Sequence, residues 1–342
     1  MAVELSGRAG RRSTASTVDA RTARAPAVRI APSRAARAPA PIARAPAVDL
    51  LVATLPFAFV LIGYAVAGGL DGAYGASFTQ GARNDLGFAL HVVEPAHLDR
   101  WLFGELPTTW LQDRLYAAGR VHWYDAVVAL VYVTHFVVSP VVAIVLWFRD
   151  RDRFRAWVRC VLALAALGLA TYIAYPMAPP WLAADDGVIE PVSRISGLGW
   201  EVLHLEWLGG LVELGQATSN PVAAMPSLHV GFAALCAAFF AGRGPWWRTP
   251  ALAGYPLAMG FAVVYAGEHY VVDVFVGVAY AVCVVLAWRV LAMLSQRGRT
   301  HSGPPERFAA LEQGPSVQQG PSVEQGPSVQ QGVEQGVEQL VR

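Results

Sequence analysis

The sequence predicts an all-helical integral membrane protein built as a bundle of six transmembrane helices. Of its 342 residues, 55% are hydrophobic and only 15% are charged, which is too apolar for an ordinary soluble domain. Six separate segments approach the roughly 20 apolar residues that a helix needs to cross a bilayer. The formal net charge of +1 gives no electrostatic reason to expect a nucleic acid partner.

The six predicted spans occupy the middle of the chain. They cover residues 48–70, 122–148, 156–176, 226–242, 250–267 and 270–294. The fourth span is short, and the fifth is interrupted by Gly254 and Pro256. Residues 80–119 mix Trp and Leu with charged side chains, which predicts one or two amphipathic helices lying in the membrane interface between the first and second spans.

The two ends of the chain are predicted to be disordered tails around a membrane domain over residues 48–295. Residues 1–47 repeat ARAPA, contain prolines throughout and lack the apolar core of a signal peptide. Residues 296–342 repeat QGPSV, and such a Gly/Pro/Gln/Ser-rich segment buries too little apolar surface to fold alone. The chain contains no lysine, a bias that we attribute to a GC-rich bacterial genome.

Arginine is distributed unevenly about the predicted spans. Residues 149–159 carry five arginines, whereas residues 177–224 carry only Arg194 together with six acidic residues. The positive-inside rule therefore places residues 149–159 and both termini in the cytoplasm of a multi-pass cell-membrane protein. The connections at 71–121, 177–224 and 267–270 then lie at the outer face.

The segment MPSLHVG (225–231) opens the fourth span at this outer face. A helix that begins at Pro226 has proline at its first position, where proline is favoured. Ser227 and the backbone N–H groups of Leu228 and His229 would then point out of the helix N-terminus, an arrangement that favours an anion. The same pattern also occurs in ordinary helix caps, so this segment alone does not establish a site.

The segment GEHYVVD (267–273) lies at the same face. His269 and Asp273 are four residues apart and share a helix face, so the carboxylate can hydrogen-bond one ring nitrogen. That bond would fix the tautomer and make the other nitrogen a better nucleophile, although such a pair can also be purely structural. Together with His229, the pair suits phosphoryl transfer, in which one histidine attacks phosphorus and the other protonates the departing oxygen. This chemistry needs no metal or other cofactor, and the spacing shows no metal-binding motif.

PSLH followed 40 residues later by HYVVD resembles the second and third signature motifs of the type-2 phosphatidic acid phosphatase superfamily, whose core is a bundle of six membrane helices. The resemblance covers residues 50–295. It implies that His269 is the nucleophile that forms a phosphohistidine and that Asp273 orients it. It also implies that His229 is the general acid and that Ser227 binds phosphate.

The sequence departs from this family at two places. The family's first motif, a lysine followed by Arg-Pro, is absent, and the corresponding segment reads TYIAYPMAPPW (171–181). Val263 stands where the family has an arginine six residues before the nucleophile. This pattern, with PTTWLQ at 107–112, is similar to the inositol phosphorylceramide synthase branch, which transfers a phospho-alcohol headgroup between lipids. A phosphodiester donor carries less charge than a monoester, so the loss of cationic ligands is physically reasonable.

Other polar residues receive weaker assignments. Arg194, or an arginine within residues 80–120, is expected to replace the missing cationic ligands, and Tyr175 is expected to shape the mouth of the pocket. His135 is expected to lie well below the outer face and to hydrogen-bond a neighbouring helix rather than to act in catalysis. Three acidic residues between the third and fourth spans are expected to be solvated or to bind a polar acceptor: Asp185, Asp186 and Glu190.

These observations favour a membrane enzyme that takes phosphate from a lipid donor in the bilayer and passes it from His269 to a hydroxyl acceptor. If the acceptor is inositol or another alcohol, the protein is a transferase. If the acceptor is water, it is a lipid phosphatase, for example one acting on a polyprenyl diphosphate carrier. A transporter or an inactive scaffold is disfavoured, because the His–His–Asp set is complete and the chain lacks the repeated halves of many transporters.

The orientation can be tested by cysteine labelling in intact cells. A membrane-impermeant thiol reagent should label the Glu190→Cys variant at the outer face and should not label the Pro245→Cys variant in the cytoplasm. The native protein is the control, since its three cysteines lie in apolar segments and are expected to be buried: Cys160, Cys236 and Cys283. The reverse labelling pattern would overturn the predicted orientation.

Overall fold

The computed structural model describes residues 46–71, 80–242 and 244–301. Within these ranges the chain is helical, with a few isolated β-bridges and no β-strand. The predicted all-helical class is therefore confirmed for the described residues. The two predicted tails fall almost entirely outside these ranges.

The described residues form ten α-helices. They are α1 (Pro46–Asp71), α2 (Val93–Phe103), α3 (Pro107–Leu115), α4 (Trp123–Arg149), α5 (Arg151–Ala174), α6 (Pro180–Asp185), α7 (Glu206–Ala217), α8 (Leu228–Phe240), α9 (Arg248–Tyr265) and α10 (Val271–His301). The chain divides into two compact units, Met1–Ala53 and Thr54–Arg342. Of the first unit, only the beginning of α1 is described.

Helices α1, α4, α5, α8, α9 and α10 coincide with the six predicted spans. Among the described residues, three helical segments are long and apolar enough to cross a membrane: Trp123–Arg149, Arg151–Ala174 and Val271–Arg297. Helix α8 has only 13 residues and is therefore about 20 Å long, shorter than the roughly 30 Å hydrocarbon core. Helix α9 begins with Arg248 and has a proline inside it, which lowers its apolar character.

The long helices present large apolar side chains on their outer surfaces, as expected for helices that face lipid. The exposed apolar side chains include Phe136, Phe148, Leu257, Phe275, Leu286, Leu291 and Leu294. Cys283 is exposed on α10 and Cys236 is partly exposed, whereas Cys160 is buried. The prediction that all three cysteines are buried is therefore wrong for Cys283, because this residue faces outward from its helix.

Helices α2 and α3 lie within residues 80–119, where the sequence predicts one or two amphipathic helices. Helix α2 is fixed to the start of α10 by Asp99, a fully buried residue. The Asp99 carboxylate accepts the backbone N–H groups of Val271 and Val272 at 2.8 and 3.0 Å. These N–H groups belong to the first turn of α10 and have no acceptor within that helix, so Asp99 stabilises the N-terminus of α10.

Helix α8 is the centre of the bundle and packs against α4, α5, α9 and α10. The start of α8 lies close to α10 at Gly277. A Cβ atom on Gly277 would lie 2.3 Å from the backbone oxygen of Ser227, the residue that precedes α8. Only glycine permits this distance, in keeping with the small residues that let membrane helices approach closely.

Replacing Gly277 therefore tests how tightly the two helices must pack. Gly277→Ala should destabilise the protein by about 1–3 kcal/mol, because the added methyl group meets rigid backbone. The measurement is the midpoint of thermal unfolding in detergent. Gly254→Ala is the matched control, since a Cβ at Gly254 of α9 meets no atom within 4 Å. Equal unfolding midpoints for the two variants would contradict this account of the packing.

Candidate active site

The two motif histidines predicted from the sequence lie side by side. His229 is the second residue of α8, and His269 lies in the turn between α9 and α10. Nε2 of His269 is 3.4 Å from Nδ1 of His229, and the ring centroids are 5.5 Å apart. The packing of α8 against α10 thus brings together residues that are 40 positions apart in the sequence.

Asp273 lies on the opposite side of the His269 ring. Its Oδ2 atom is 3.5 Å from Nδ1 of His269 and accepts the backbone N–H of Tyr270 at 2.9 Å. The residue is fully buried, and its Oδ1 atom has no hydrogen-bond partner. With the carboxylate beside Nδ1, the Nε2 atom of His269 is the nitrogen that remains for chemistry.

Ser227 is the N-cap of α8, so the helix begins at Leu228. The Ser227 hydroxyl accepts the backbone N–H of Val230 at 3.5 Å. The Ser227 N–H donates to the backbone oxygen of Asp273 at 3.0 Å. The prediction that Pro226 is the first helical residue is wrong, because the serine side chain provides the cap and Pro226 precedes it.

Leu228 and Pro226 offer little to a ligand through their side chains. The Leu228 side chain packs against Gly168 of α5, where an added Cβ would lie 2.8 Å from Leu228 Cδ2. Pro226 is buried, and its carbonyl accepts the Tyr172 hydroxyl at 2.9 Å. Leu228 and His229 are the first two residues of α8, so their N–H groups have no acceptor within the helix.

His135 of α4 contacts His229. Its ring centroid is 4.3 Å from that of His229, and the ring of Tyr132 stacks on His229 at 4.7 Å. The Nδ1 atom of His135 and the Nε2 atom of His229 are buried and have no hydrogen-bond partner. The prediction that His135 lies well away from the other two histidines is therefore wrong, because α4 crosses α8 close to its first turn.

Arg194 reaches the site but is paired with Glu268, the residue before His269. Its Nε and Nη2 atoms donate to the two carboxylate oxygens at 2.9 and 3.0 Å. The guanidinium carbon is 4.6 Å from the centre of the Trp181 ring. No role for Glu268 is predicted from the sequence, although a carboxylate next to a buried histidine is a signal that a cation lies nearby.

Two further side chains complete the environment of the Glu268 carboxylate. Its Oε1 atom also accepts the hydroxyl of Ser196 at 2.6 Å and Nε2 of Gln216 at 2.9 Å. Gln216 belongs to α7, and its Nε2 atom lies 3.4 Å from the hydroxyl of Tyr132. This network joins the Arg194–Glu268 pair to the ring that stacks on His229.

Gln112 holds the loop that carries Arg194. Its Nε2 atom donates to the backbone oxygens of Ser193 and Tyr265, each at 2.8 Å, and its Oε1 atom accepts the Ser193 N–H at 2.9 Å. Gln112 is the last residue of the PTTWLQ segment. The segment therefore contributes an anchor between this loop and the end of α9.

Tyr175 directly follows α5, and its ring stacks on His91 with centroids 3.8 Å apart. Burial and the nearby Glu94 and Asp273 carboxylates raise the pKa of Tyr175 above its usual value. Its role at a pocket mouth stays a prediction. The loop carboxylates lie exposed, and one of them pairs with Arg100: Asp185, Asp186 and Glu190.

The environment of His269 favours a neutral imidazole. Burial lowers the pKa of His269 to about 4, and this effect outweighs the opposing effects of the Glu268 carboxylate and the Ala224 backbone carbonyl. A neutral ring keeps a lone pair for nucleophilic attack. In the described part of the chain, no group of three His, Cys, Asp or Glu side chains is arranged to hold a metal ion.

Comparison with known proteins agrees with the motif analysis. The chain is 24% identical over 203 residues to the phosphoinositol dihydroceramide synthase of Bacteroides thetaiotaomicron, covering 56% of this chain and 64% of that protein. It is 27% identical over 172 residues to the inositol phosphorylceramide synthase catalytic subunit aur1 of Schizosaccharomyces pombe, covering 49% of this chain and 40% of that protein. The matches thus span less than two thirds of the length of either relative.

Among solved structures, the crystal structure of Aquifex aeolicus LpxE aligns with a TM-score of 0.39 and 15% sequence identity, covering 56% of this chain and 92% of that chain. The profile of the PAP2 superfamily matches residues 96–287, which is more than half of the sequence and includes Ser227, His229, His269 and Asp273. Members of this superfamily are lipid phosphatases or phosphotransferases. The chain belongs to the PAP2 superfamily, within which it is similar to the inositol phosphorylceramide synthases.

Proposed function

We propose that this protein is an integral membrane phosphotransferase that moves a phospho-alcohol group from a lipid donor to a hydroxyl acceptor through a phosphohistidine on His269. The observation that carries the proposal is the contact between the imidazoles of His229 and His269, 3.4 Å apart, with a carboxylate 3.5 Å behind the nucleophilic ring. Inositol is the alcohol that we favour in the transferred group, with a second hydroxyl compound as its acceptor, since both curated relatives are named for an inositol-containing product.

The first half of the reaction forms the bond between histidine and phosphorus. The lone pair on Nε2 of His269 attacks phosphorus while Asp273 stabilises the positive charge that develops on the ring. The bond from phosphorus to the lipid oxygen breaks, and His229 donates a proton to that oxygen. Because Nε2 and Nδ1 are only 3.4 Å apart, the two rings must separate to admit phosphate.

The second half reverses these roles. His229, now neutral, takes the proton from the hydroxyl of the acceptor, and the acceptor oxygen attacks phosphorus. The bond between Nε2 of His269 and phosphorus breaks, which regenerates the neutral imidazole. If water is the acceptor, the same steps give hydrolysis, so the alternative function is that of a lipid phosphate or polyprenyl diphosphate phosphatase.

Phosphate is proposed to bind at the start of α8. The N–H groups of Leu228 and His229, with the helix dipole, provide a partial positive charge, and Arg194 provides a full one. Ser227 belongs to the same site, with a hydroxyl that caps the helix. The absence of a cation at Val263 and of any lysine supports a singly charged phosphodiester donor over a doubly charged monoester.

The proposed setting is the outer leaflet of the cell membrane. Helices α1, α4, α5, α8, α9 and α10 are proposed to form the six spans, with α2 and α3 in the outer interface. Two features support this placement. The site residues gather where α5 ends and α8 and α10 begin, and the arginines of residues 149–159 lie at the α4–α5 connection. Residues 1–47 and 296–342 are proposed to be cytoplasmic tails that catalysis does not need.

The phosphohistidine can be detected directly. Purified protein given a phospholipid labelled in its phosphate should form an acid-labile, base-stable phosphoenzyme. His269→Ala should abolish it, because the attacking nitrogen is lost, and His229→Ala should slow turnover by about 100-fold or more, because the general acid is lost. His97→Ala is the matched control, since His97 is an exposed histidine on α2. A normal rate in His269→Ala would contradict the mechanism.

Transfer and hydrolysis are separated by the products formed with and without inositol. A transferase should release little free phosphate or phospho-alcohol and should form a new inositol-containing phosphodiester only when inositol or an inositol-bearing lipid is supplied. Release of free phosphate from a monoester, or of the phospho-alcohol from a diester, at the same rate in both conditions would instead identify the reaction as hydrolysis.

The protonation of His269 gives a pH-dependent test. The pKa of His269 is about 4 in the folded protein and about 6.5 in an unfolded chain, so the unfolded state binds a proton first as pH falls. The contribution of His269 to stability should be complete above about pH 6.5 and decline toward pH 4. In NMR spectra of histidine-labelled protein, the His269 ring, assigned by its loss in His269→Asn, should stay neutral at pH 5.5. A titration midpoint near 6.5 would contradict the buried environment.

A further inference from the structure

Arg194 and Glu268 form an ion pair at the site. The proposed reaction uses Arg194 and gives Glu268 no role. The Arg194 side chain is 26% exposed and the Glu268 side chain 8% exposed. The carboxylate receives two hydrogen bonds from Arg194, one from Ser196 and one from Gln216. An isolated buried carboxylate is costly, and here the surrounding donors compensate that cost.

The geometry of the pair determines what Arg194 can offer to a ligand. Two of its five N–H donors point at Glu268 through Nε and Nη2, and the guanidinium plane lies against Trp181. The three remaining N–H donors, two of them on Nη1, are available to donate to phosphate oxygens. Glu268 directly precedes His269 in the chain. The pairing with Glu268 therefore fixes the orientation of Arg194 relative to the nucleophile.

The pair also determines the charge beside the nucleophile. Arg194 contributes +1 and Glu268 contributes −1, so their sum is close to zero at neutral pH. Both side chains act electrostatically on His269 and in opposite directions, which shows that the two charges lie within range of the ring. A site with no net positive charge compensates one negative charge on phosphate more easily than two.

We propose that Glu268 is a specificity-determining residue that positions Arg194 for phosphate binding and cancels its charge, so that the site favours phosphodiesters over phosphomonoesters. This inference rests on the function proposed above and names the substrate class of that same site. It gives one explanation for two sequence features, the missing lysine motif at residues 171–181 and the valine at position 263. In this account the site is built for a substrate that carries a single negative charge.

The test compares the binding of two lipids to four proteins that form a double-mutant cycle of the Arg194–Glu268 pair. The proteins are full-length chains carrying His269→Asn, which prevents turnover, with Glu268→Gln, Arg194→Gln, both changes or neither. The probes are dihexanoyl phosphatidic acid, a monoester, and dihexanoyl phosphatidylinositol, a diester. Calorimetry in detergent at pH 8, where the monoester carries two charges, gives the ratio of the two affinities.

Removing one charged side chain a few ångströms from the phosphate changes the affinity of a doubly charged ligand, relative to a singly charged one, by at least about tenfold. The ratio of monoester to diester affinity should therefore rise about tenfold in Glu268→Gln and fall about tenfold in Arg194→Gln. The double variant is neutral again and should return to the starting ratio. Glu190→Gln is the matched control, because it breaks an exposed Arg–Glu pair with Arg100 and should leave the ratio unchanged.

An equal ratio in all four proteins, or binding of neither lipid, would overturn the assignment. If Glu268→Gln does not fold, Arg194→Gln and the double variant decide, since they must still differ by about tenfold. The phosphoenzyme experiment stands apart from this one. A protein that forms phosphohistidine with no change in ratio retains the proposed function and loses the role of Glu268. A changed ratio without phosphohistidine retains the anion site and loses the transfer mechanism.

Discussion

The contact between the start of α8 and the first turns of α10 is the constraint on which the site depends. The Ser227 N–H donates to the backbone oxygen of Asp273, and the Ser227 oxygen lies where a side chain at Gly277 would be. This contact sets the separation of His229 and His269, because each residue lies within two positions of a helix N-terminus. A larger residue at Gly277 would move one helix end relative to the other, and the two ring nitrogens with it.

A second principle is that the buried carboxylates around the site, with one exception, have all their hydrogen-bonding needs met by specific partners. Asp99 accepts two N–H groups from the first turn of α10, and Glu268 accepts four hydrogen bonds. Such groups are expensive in a bilayer unless they are satisfied. Asp273 differs, since one of its oxygens has no partner. The carboxylate that the proposed mechanism uses is thus the one that the protein leaves incompletely satisfied, as expected for a group that must stabilise a positive charge during the reaction.

Local patterns in the sequence predict the helices and the principal site residues. The length of an apolar segment, the position of a proline and the spacing of His and Asp can each be read from neighbouring residues alone. The predicted start of α8 at Pro226 lies two positions before the observed start at Leu228. The start depends on which group caps the first turn, and here the Ser227 side chain does so. The roles of His135, Glu268 and Gln112 were not predictable from local spacing. Each depends on contacts between segments that lie far apart in the chain, such as Gln112 with Tyr265, and on the rotation of one helix against another.

The central claim is that phosphorus binds between Nε2 of His269 and the His229 ring, within reach of Arg194. A structure of the protein bound to orthovanadate, which adopts the trigonal bipyramidal geometry of phosphoryl transfer and binds as a transition-state mimic, tests this most directly. We expect vanadium to be bonded to Nε2 of His269, with His229 donating to an apical oxygen and Arg194 donating to an equatorial oxygen while it remains paired with Glu268. Vanadate bound away from His269, or bound there with Arg194 turned away, would contradict it.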